Sequence, residues 1–217
     1  MRNNRFLFWA IALISLAGLL YYIGQLPNDT MPIHFGLDGK ADRFGSKWIM
    51  SILGILPLIF LGSYEAYRGK TKGNERILAN RKYEDVVVPM IAMMFVALSW
   101  ILATLRTDDI TQGPYVALPI VMGAVMVFMS NWMGKFSPNR TFGIRLPWTL
   151  KDDNVWRATH RMAGYWGIAG GFVMIISGGI AMRCGYGYSI GGIFTGVLLL
   201  VVPPTIFSYK MYHRLHG

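Results

Sequence analysis

A polar stretch between two long apolar segments, residues 131–161, holds the side chains best suited to chemistry. Asn139, Arg145 and His160 combine an amide, a guanidinium able to bind phosphate or carboxylate in bidentate fashion, and an imidazole that titrates near neutral pH. His160 with Asp152 would form an acid–base pair. No Ser or Cys nucleophile setting and no Gly-rich phosphate loop accompanies them, so catalysis is one of two hypotheses for this stretch.

The other hypothesis for the stretch is structural. Trp132, Trp148 and Trp156 would then anchor the protein at the membrane interface, where such aromatic side chains are enriched. The polar groups would hydrogen-bond one another instead of a ligand. Residue types and spacing leave both interpretations open.

The local pattern predicts a turn-rich segment followed by a helix. Residues 138–150 contain too much Pro and Gly for a helix. Thr149 is predicted to cap the helix that follows, since an acid stands three residues on. That helix places Trp156 and His160 four residues apart on one side. The residues that we assign to this site are Asn131, Pro138, Asn139, Gly143, Arg145, Pro147, Trp148, Thr149, Trp156, Thr159 and His160.

The composition predicts a membrane protein that positions this stretch. Of 217 residues, 53% are hydrophobic and 15% charged, and the mean hydropathy is +0.39. Six uncharged runs approach or exceed the roughly 20 residues that cross a bilayer as a helix, and none has the polar stripe of a soluble bundle. The fold class predicted is an all-α integral membrane protein with six transmembrane helices in one domain, 1–217. The spans are expected at about 6–24, 48–65, 86–105, 114–133, 162–182 and 188–209.

The distribution of basic residues predicts the orientation. Alternate loops hold 16 of the 21 Lys and Arg residues, and the other loops hold five. Basic loops remain in the cytoplasm, so both termini are predicted inside, with an ordered cytoplasmic loop, residues 134–161, between helices 4 and 5. We call this loop the inner motif. The net charge of +10 is thereby explained without direct nucleic-acid binding. The single cysteine, Cys184, excludes an internal disulfide.

Residues 25–47 form the predicted outer loop. Its Pro residues favour extended backbone and Asp38-Gly39 is a turn signal, so a small hairpin is expected. His34, Asp38 and Asp42 make a weak candidate metal site, with ordinary loop polarity as the alternative. The residues that we assign to the outward face are Pro27, Pro32, His34, Phe35, Asp38, Gly39 and Asp42.

Glycine spacing predicts how two of the helices pack. Gly167 and Gly171 in span five form a small-xxx-small pair, as do Gly192 and Gly196 in span six. Such surfaces allow helix backbones to approach closely. We therefore expect spans five and six to pack against each other, with homodimerisation as the alternative.

Two spaced motifs resemble the SdpI family of bacterial immunity proteins. The first lies in the inner motif, and a looser second one, with Met31 where the family pattern has Ile, lies in the outer loop. The first consists of Pro138-Asn139, Gly143-Ile144-Arg145, Pro147-Trp148-Thr149-Leu150, Val155-Trp156, Thr159-His160-Arg161 and Gly164. The second consists of Leu26-Pro27, Pro32, His34-Phe35, Gly39 and Asp42.

The resemblance implies a multi-pass protein of the bacterial cytoplasmic membrane that protects a cell from its own secreted, membrane-active peptide toxin. It implies no enzyme activity and no cofactor. Its expected partners are membrane lipids, the hydrophobic peptide toxin and, for signalling, a cytoplasmic transcriptional repressor held at the membrane. The competing hypothesis is a membrane enzyme or small transporter acting on a lipid-linked or phosphorylated substrate at Asn139, Arg145 and His160.

Overall fold

The structure, a computed structural model, describes residues 2–36, 41–71, 78–104, 113–139 and 142–217. Within these residues it contains a two-stranded sheet and seven α-helices, with a short 3-10 turn at Lys47–Ile49. The elements are α1 (Arg2–Gln25), β1 (Thr30–Phe35), β2 (Ala41–Ser46), α2 (Met50–Lys70), α3 (Arg81–Thr104), α4 (Gly113–Met133), α5 (Pro147–Lys151), α6 (Asp153–Cys184) and α7 (Tyr186–His216).

Six of these helices are long and apolar enough to cross a membrane, namely all except α5. The chain is therefore an all-α multi-pass membrane protein, as its uncharged runs predicted. The helices extend beyond those runs: α6 begins at Asp153 and α7 reaches His216. An uncharged run marks only the part that tolerates hydrocarbon, whereas a helix continues into the interface, where charges are solvated. The span boundaries in a bilayer and the orientation stay predictions, and "inner" and "outer" denote the predicted sides.

Helix α6 is the centre of the second half of the chain, because its glycines admit neighbours on two sides. A Cβ at Gly170 would lie 2.5 Å from the carbonyl oxygen of Gly196 in α7. A Cβ at Gly171 would lie 2.7 Å from the carbonyl oxygen of Gly123 in α4. The packing predicted between spans five and six is confirmed. The close approach of α4 to the same helix was not predicted.

Helices α1, α2 and α3 form a second group with its own apolar contacts. Ala12, Leu61 and Ala92, one residue from each helix, are buried together. Nearer the outer side, the indole N–H of Trp100 donates to Ser15 Oγ at 2.8 Å, which ties α3 to α1. The two groups of helices are contiguous through α3 and α4.

A buried asparagine joins the two groups at the inner end. The side chain of Asn80, which is fully buried, precedes α3. Its Nδ2 donates to the carbonyl oxygen of Ser137 at 3.1 Å, and its Oδ1 accepts from the N–H of Ser137 at 2.7 Å. We call this pair of hydrogen bonds the Asn80 clasp. It fixes the start of the inner motif against the loop between α2 and α3.

Strands β1 and β2 pair antiparallel and confirm the hairpin expected in the outer loop. Pro32 lies opposite Phe44 and His34 opposite Arg43, with irregularities in the register on either side of His34. At the base of the hairpin, Lys47 is buried. Its Nζ donates to the carbonyl oxygen of Leu26 at 2.9 Å and lies 3.2 Å from Asp29 Oδ1. Lys47 therefore ties the end of the hairpin to the end of α1.

Candidate functional site

His160 is fully buried at the centre of the inner motif, in the second turn of α6. Its Nε2 accepts the backbone N–H of Ile144 at 2.9 Å, and its Nδ1 lies 2.8 Å from the carbonyl oxygen of Trp156. This pattern assigns the proton to Nδ1, because Nε2 must be the acceptor. Both ring nitrogens are used by the backbone, so His160 holds the loop on the helix. The acid–base pair proposed with Asp152 is wrong.

Gly143 is required beside this histidine. Its φ of +106° lies in the region that favours glycine. A Cβ at this position would overlap His160 Nε2 and lie 2.9 Å from Cδ2. The glycine thus lets the Ile144 N–H reach the ring, which explains why a Gly-Ile pair precedes the arginine of the motif.

Two of the three tryptophans predicted as interfacial anchors hold parts of the protein together. Trp156 is fully buried, stacks on His160 with ring centroids 3.9 Å apart, and donates from Nε1 to the carbonyl oxygen of Phe136 at 2.9 Å. Trp148 donates from Nε1 to Ser208 Oγ at 2.9 Å, which connects α5 to α7. Trp132 lies under the ammonium group of Lys135, 4.0 Å from the ring centroid.

Thr149 does not cap the long helix, and that prediction is wrong. It lies within α5, where its buried hydroxyl accepts from the N–H of Leu146 at 2.9 Å. Asp152 caps α6 instead, accepting from the N–H groups of Asn154 and Val155 at 2.7 and 3.1 Å. The side chain of His216 also bonds Asp152, at 2.9 Å. The hydrogen bond from the Val155 N–H, and after it the one from His216, hold the pKa of the Asp152 carboxyl below its usual range. Because the chain breaks between α5 and α6 at Asp152, the residue that caps α6 lies three residues after the predicted one.

The remaining residues of the predicted inner site divide between turn formation and the surface. Asn139 accepts the N–H of Phe142 at 2.7 Å and donates to the carbonyl oxygen of Ser137 at 2.9 Å, so its amide shapes the turn. Arg145 is exposed, unlike His160. The exposed residues also include Asn131 and Pro147, whereas Thr159 is buried and Pro138 is half-buried. The three groups of the catalytic hypothesis therefore have different surroundings: His160 is buried, Asn139 is half-buried and Arg145 is exposed.

Facing α6, the residue at the end of α4 is Ser130 rather than Asn131. Ser130 is buried. A Cβ at Gly164 would lie 3.0 Å from its carbonyl oxygen, and one at Gly167 would overlap its hydroxyl. The helical rotation of one residue turns Asn131 outward, a detail that an end-of-helix assignment alone does not resolve.

A buried charged group near the inner ends of α2 and α3 was missed at the level of sequence. Arg68 forms an ion pair with Asp85, whose Oδ1 also accepts from the hydroxyl of Tyr64 at 2.9 Å. Glu84 is buried, with its Oε2 3.9 Å from Arg81 Nε. The uncharged run of the third span begins only at Val86, directly after Glu84 and Asp85. The run lengths therefore gave no sign of these charged side chains. The signal that could have found them is the local excess of both signs around residues 81–85.

The outer hairpin carries an exposed polar pair and two exposed apolar side chains. His34 Nδ1 lies 2.6 Å from Asp42 Oδ1. Ile33 and Phe44 are 43% and 58% exposed, while Pro32 is buried and Pro27 exposed. Asp38, Gly39 and the side chain of Phe35 lie outside the described residues, and so does the metal triad that includes Asp38. Within the described part of the chain, no three metal-ligating side chains come together.

The pair in the hairpin yields a test by titration. The hydrogen bond from His34 lowers the pKa of the Asp42 carboxyl. The stabilisation that it supplies is therefore present above the ordinary carboxyl value of about 3.9 and is lost as the pH falls through the lowered one. We expect H34A to raise the pKa of Asp42 toward its ordinary value, measured by NMR of ¹³C-labelled aspartate in the detergent-solubilised protein. H34Q, which retains a donor, should raise it less. An unchanged pKa in H34A would show that the pair does not form.

Two regions of the chain match known family patterns, and the whole chain matches one known protein. The sequence pattern of the SdpI/YfhL protein family matches residues 135–208, and that of a domain of unknown function (DUF1648) matches residues 10–61. Immunity protein SdpI of Bacillus subtilis (strain 168) is 24% identical over 230 residues, covering 100% of this chain and 99% of that protein. An uncharacterized protein of Archaeoglobus fulgidus is 53% identical over 51 residues, 24% of this chain and 25% of that protein. No solved structure matches the chain significantly.

The two matched regions coincide with the two sites described above. Residues 135–208 contain most of the inner motif and the packed helices α6 and α7. Residues 10–61 contain the outer hairpin between α1 and α2. The resemblance drawn from the spaced motifs is confirmed: the SdpI/YfhL family pattern matches residues 135–208, and an immunity protein SdpI is similar along the entire chain.

Proposed function

We propose that this protein is a non-enzymatic immunity protein of the bacterial cytoplasmic membrane, conferring resistance to a secreted, membrane-active peptide. The observation that carries the proposal is the similarity to an immunity protein along the entire chain, which includes the hairpin and the inner motif. The hydrophobic peptide would be recognised on the outer side. A cytoplasmic repressor would be recruited on the inner side.

The outer hairpin supports recognition of such a peptide. Ile33 and Phe44 are exposed apolar side chains of the hairpin that also carries the His34–Asp42 pair. An amphipathic peptide approaching the membrane would bury this apolar surface and meet polar groups at its edge. Lys47 ties the hairpin to α1, so the surface is held rigidly at the ends of two helices.

The inner motif supports a binding surface rather than a reaction centre. Both ring nitrogens of His160 and the hydroxyl of Thr149 are already used in hydrogen bonds to backbone groups. Arg145 is exposed on this braced loop. A guanidinium on a rigid loop suits recognition of a carboxylate on a partner protein. Trp156 and His160 are less suitable positions for testing a partner surface, because both side chains hold the loop on α6.

The two faces predict separable phenotypes. The chain would be expressed in a sensitive strain that lacks its own immunity protein, and survival would be measured against a panel of secreted membrane-active peptides. The double variant I33S/F44S is expected to lose most of the protection, because it removes the exposed apolar surface while leaving the polar pair. R145A is expected to keep protection and to reduce membrane recruitment of a co-expressed cognate repressor.

Protein levels in the membrane provide the control, and K151Q serves as a matched change at another exposed inner residue. Killing that is the same with and without the chain, across the panel, would contradict the immunity function. Loss of protection in R145A together with loss of recruitment would contradict the division between the two faces.

A further inference from the structure

A basic groove lies at the inner end of the group formed by α4, α6 and α7, apart from the inner motif's buried histidine. It has a volume of about 560 Å³ and opens between the end of α4, the first turns of α6 and the last turns of α7. The groove is lined by Gly134, Asn154, Arg157, Ala158, Arg161 and Met211.

Two arginines supply its charge. Arg157 and Arg161 are exposed and four residues apart, so they stand on one face of α6. Arg157 donates to Asn154 Oδ1 at 3.2 Å. Among the described residues, neither guanidinium forms an ion pair. The nearby carboxylate of Asp152 pairs with His216 at 2.9 Å. Two guanidinium groups facing one groove without a carboxylate leave their donors available for an anion.

The floor of the groove is shaped by Gly134. A Cβ there would lie 3.5 Å from Cα of Arg161 and 3.9 Å from its Cβ. The loop leaving α4 therefore runs close to the backbone of Arg161. The groove is a feature of the packed backbone as well as of two flexible side chains.

We propose that this groove binds a phosphate group, that of an anionic phospholipid in the inner leaflet. Guanidinium groups bind phosphate oxygens in bidentate fashion. Three spanning helices end around the groove, and the chain of α6 is uncharged for twenty-one residues beyond Arg161, from Met162 to Met182. The two arginines thus stand at headgroup depth, where basic side chains attract anionic lipid. Ala158 and Met211 supply apolar wall for the start of an acyl chain. This inference is independent of the immunity function.

Native mass spectrometry of the full-length protein in neutral detergent tests the proposal. The protein is titrated with phosphatidylglycerol, and in parallel with phosphatidylcholine, and bound lipids are counted. R157Q/R161Q is expected to bind phosphatidylglycerol at least about tenfold more weakly than the wild type, because two charge-assisted contacts are lost. The control variant K70Q/K151Q removes the same amount of charge from two exposed lysines elsewhere on the inner side. It is expected to bind phosphatidylglycerol like the wild type.

The source of the phosphate is distinguished by competition. Inorganic phosphate at millimolar concentration is expected to leave bound phosphatidylglycerol in place; complete displacement would assign the groove to a soluble phosphate and overturn the lipid. Equal binding of the two phospholipids would overturn recognition of a net negative headgroup. Equal loss in both double variants, or no loss in R157Q/R161Q, would overturn the groove as the site. Circular dichroism of each variant verifies that its helices are intact.

Discussion

Gly143→Val is expected to disrupt the inner motif and to give the largest loss of stability among single changes in this region. A β-branched residue at φ +106° costs about 1–3 kcal/mol in backbone strain. Its Cβ would also overlap His160 Nε2. The hydrogen bond between the Ile144 N–H and the buried imidazole would then be lost, which costs about 1–3 kcal/mol more. Thermal unfolding of the purified protein, followed by tryptophan fluorescence, measures the effect.

Gly191→Ala is the matched control for this change. Gly191 lies in α7, and a Cβ at that position meets nothing within 4 Å. Its φ is not positive, so alanine fits the helix and should preserve or raise the unfolding temperature. If G143V and G191A unfold at the same temperature, Gly143 does not support the motif as described.

Trp156→Ala is expected to destabilise the protein by about 3–5 kcal/mol, the usual cost of deleting a fully buried tryptophan. The substitution removes the stack on His160 and the donor to the carbonyl oxygen of Phe136. Loss of both would release the loop that α6 holds. The free energy of unfolding in a denaturing detergent, measured by circular dichroism, reports the change.

Two further variants separate the contributions of this side chain. Trp156→Phe keeps an aromatic ring against His160 but loses the N–H donor and part of the indole volume, so a cost of about 1–3 kcal/mol, below that of W156A, is expected. Trp166→Ala changes a tryptophan of the same helix that is 37% exposed, and its cost should be well below that of W156A. Equal destabilisation by W156A and W166A would argue that burial at position 156 is not what stabilises the motif.

The helices and the hairpin could be predicted because each depends on a local pattern. Spanning helices follow from run length in a medium without hydrogen-bond partners. The hairpin follows from Pro placement and a turn signal before α2. Glycine pairs predicted one contact of α6 correctly, whereas Gly171, which was expected to face α7, meets Gly123 of α4. Spacing shows that a surface is smooth, and does not show which neighbour uses it.

The interior of the inner motif could not be predicted, because its contacts bridge distant or irregular segments. The motif residues were singled out by type and spacing, yet their types fit a ligand site and a braced loop equally well. Burial decides between them: His160 is enclosed by backbone groups from residues 144 and 156. Thr149 looked like a helix cap because the break at Asp152 has no strong local signal. Glu84 and Asp85 adjoin a run that reads as purely apolar.

The Asn80 clasp has a consequence for comparing homologous sequences. Both of its bonds end on backbone atoms of Ser137, and every amino acid except proline offers that N–H and carbonyl pair. Position 137 can therefore vary while the bonding survives, whereas aspartate at position 80 would forfeit the donor. Co-variation between the two columns of an alignment would consequently be weak, and a method that infers proximity from correlated substitutions would overlook one of the junctions between the halves of this molecule.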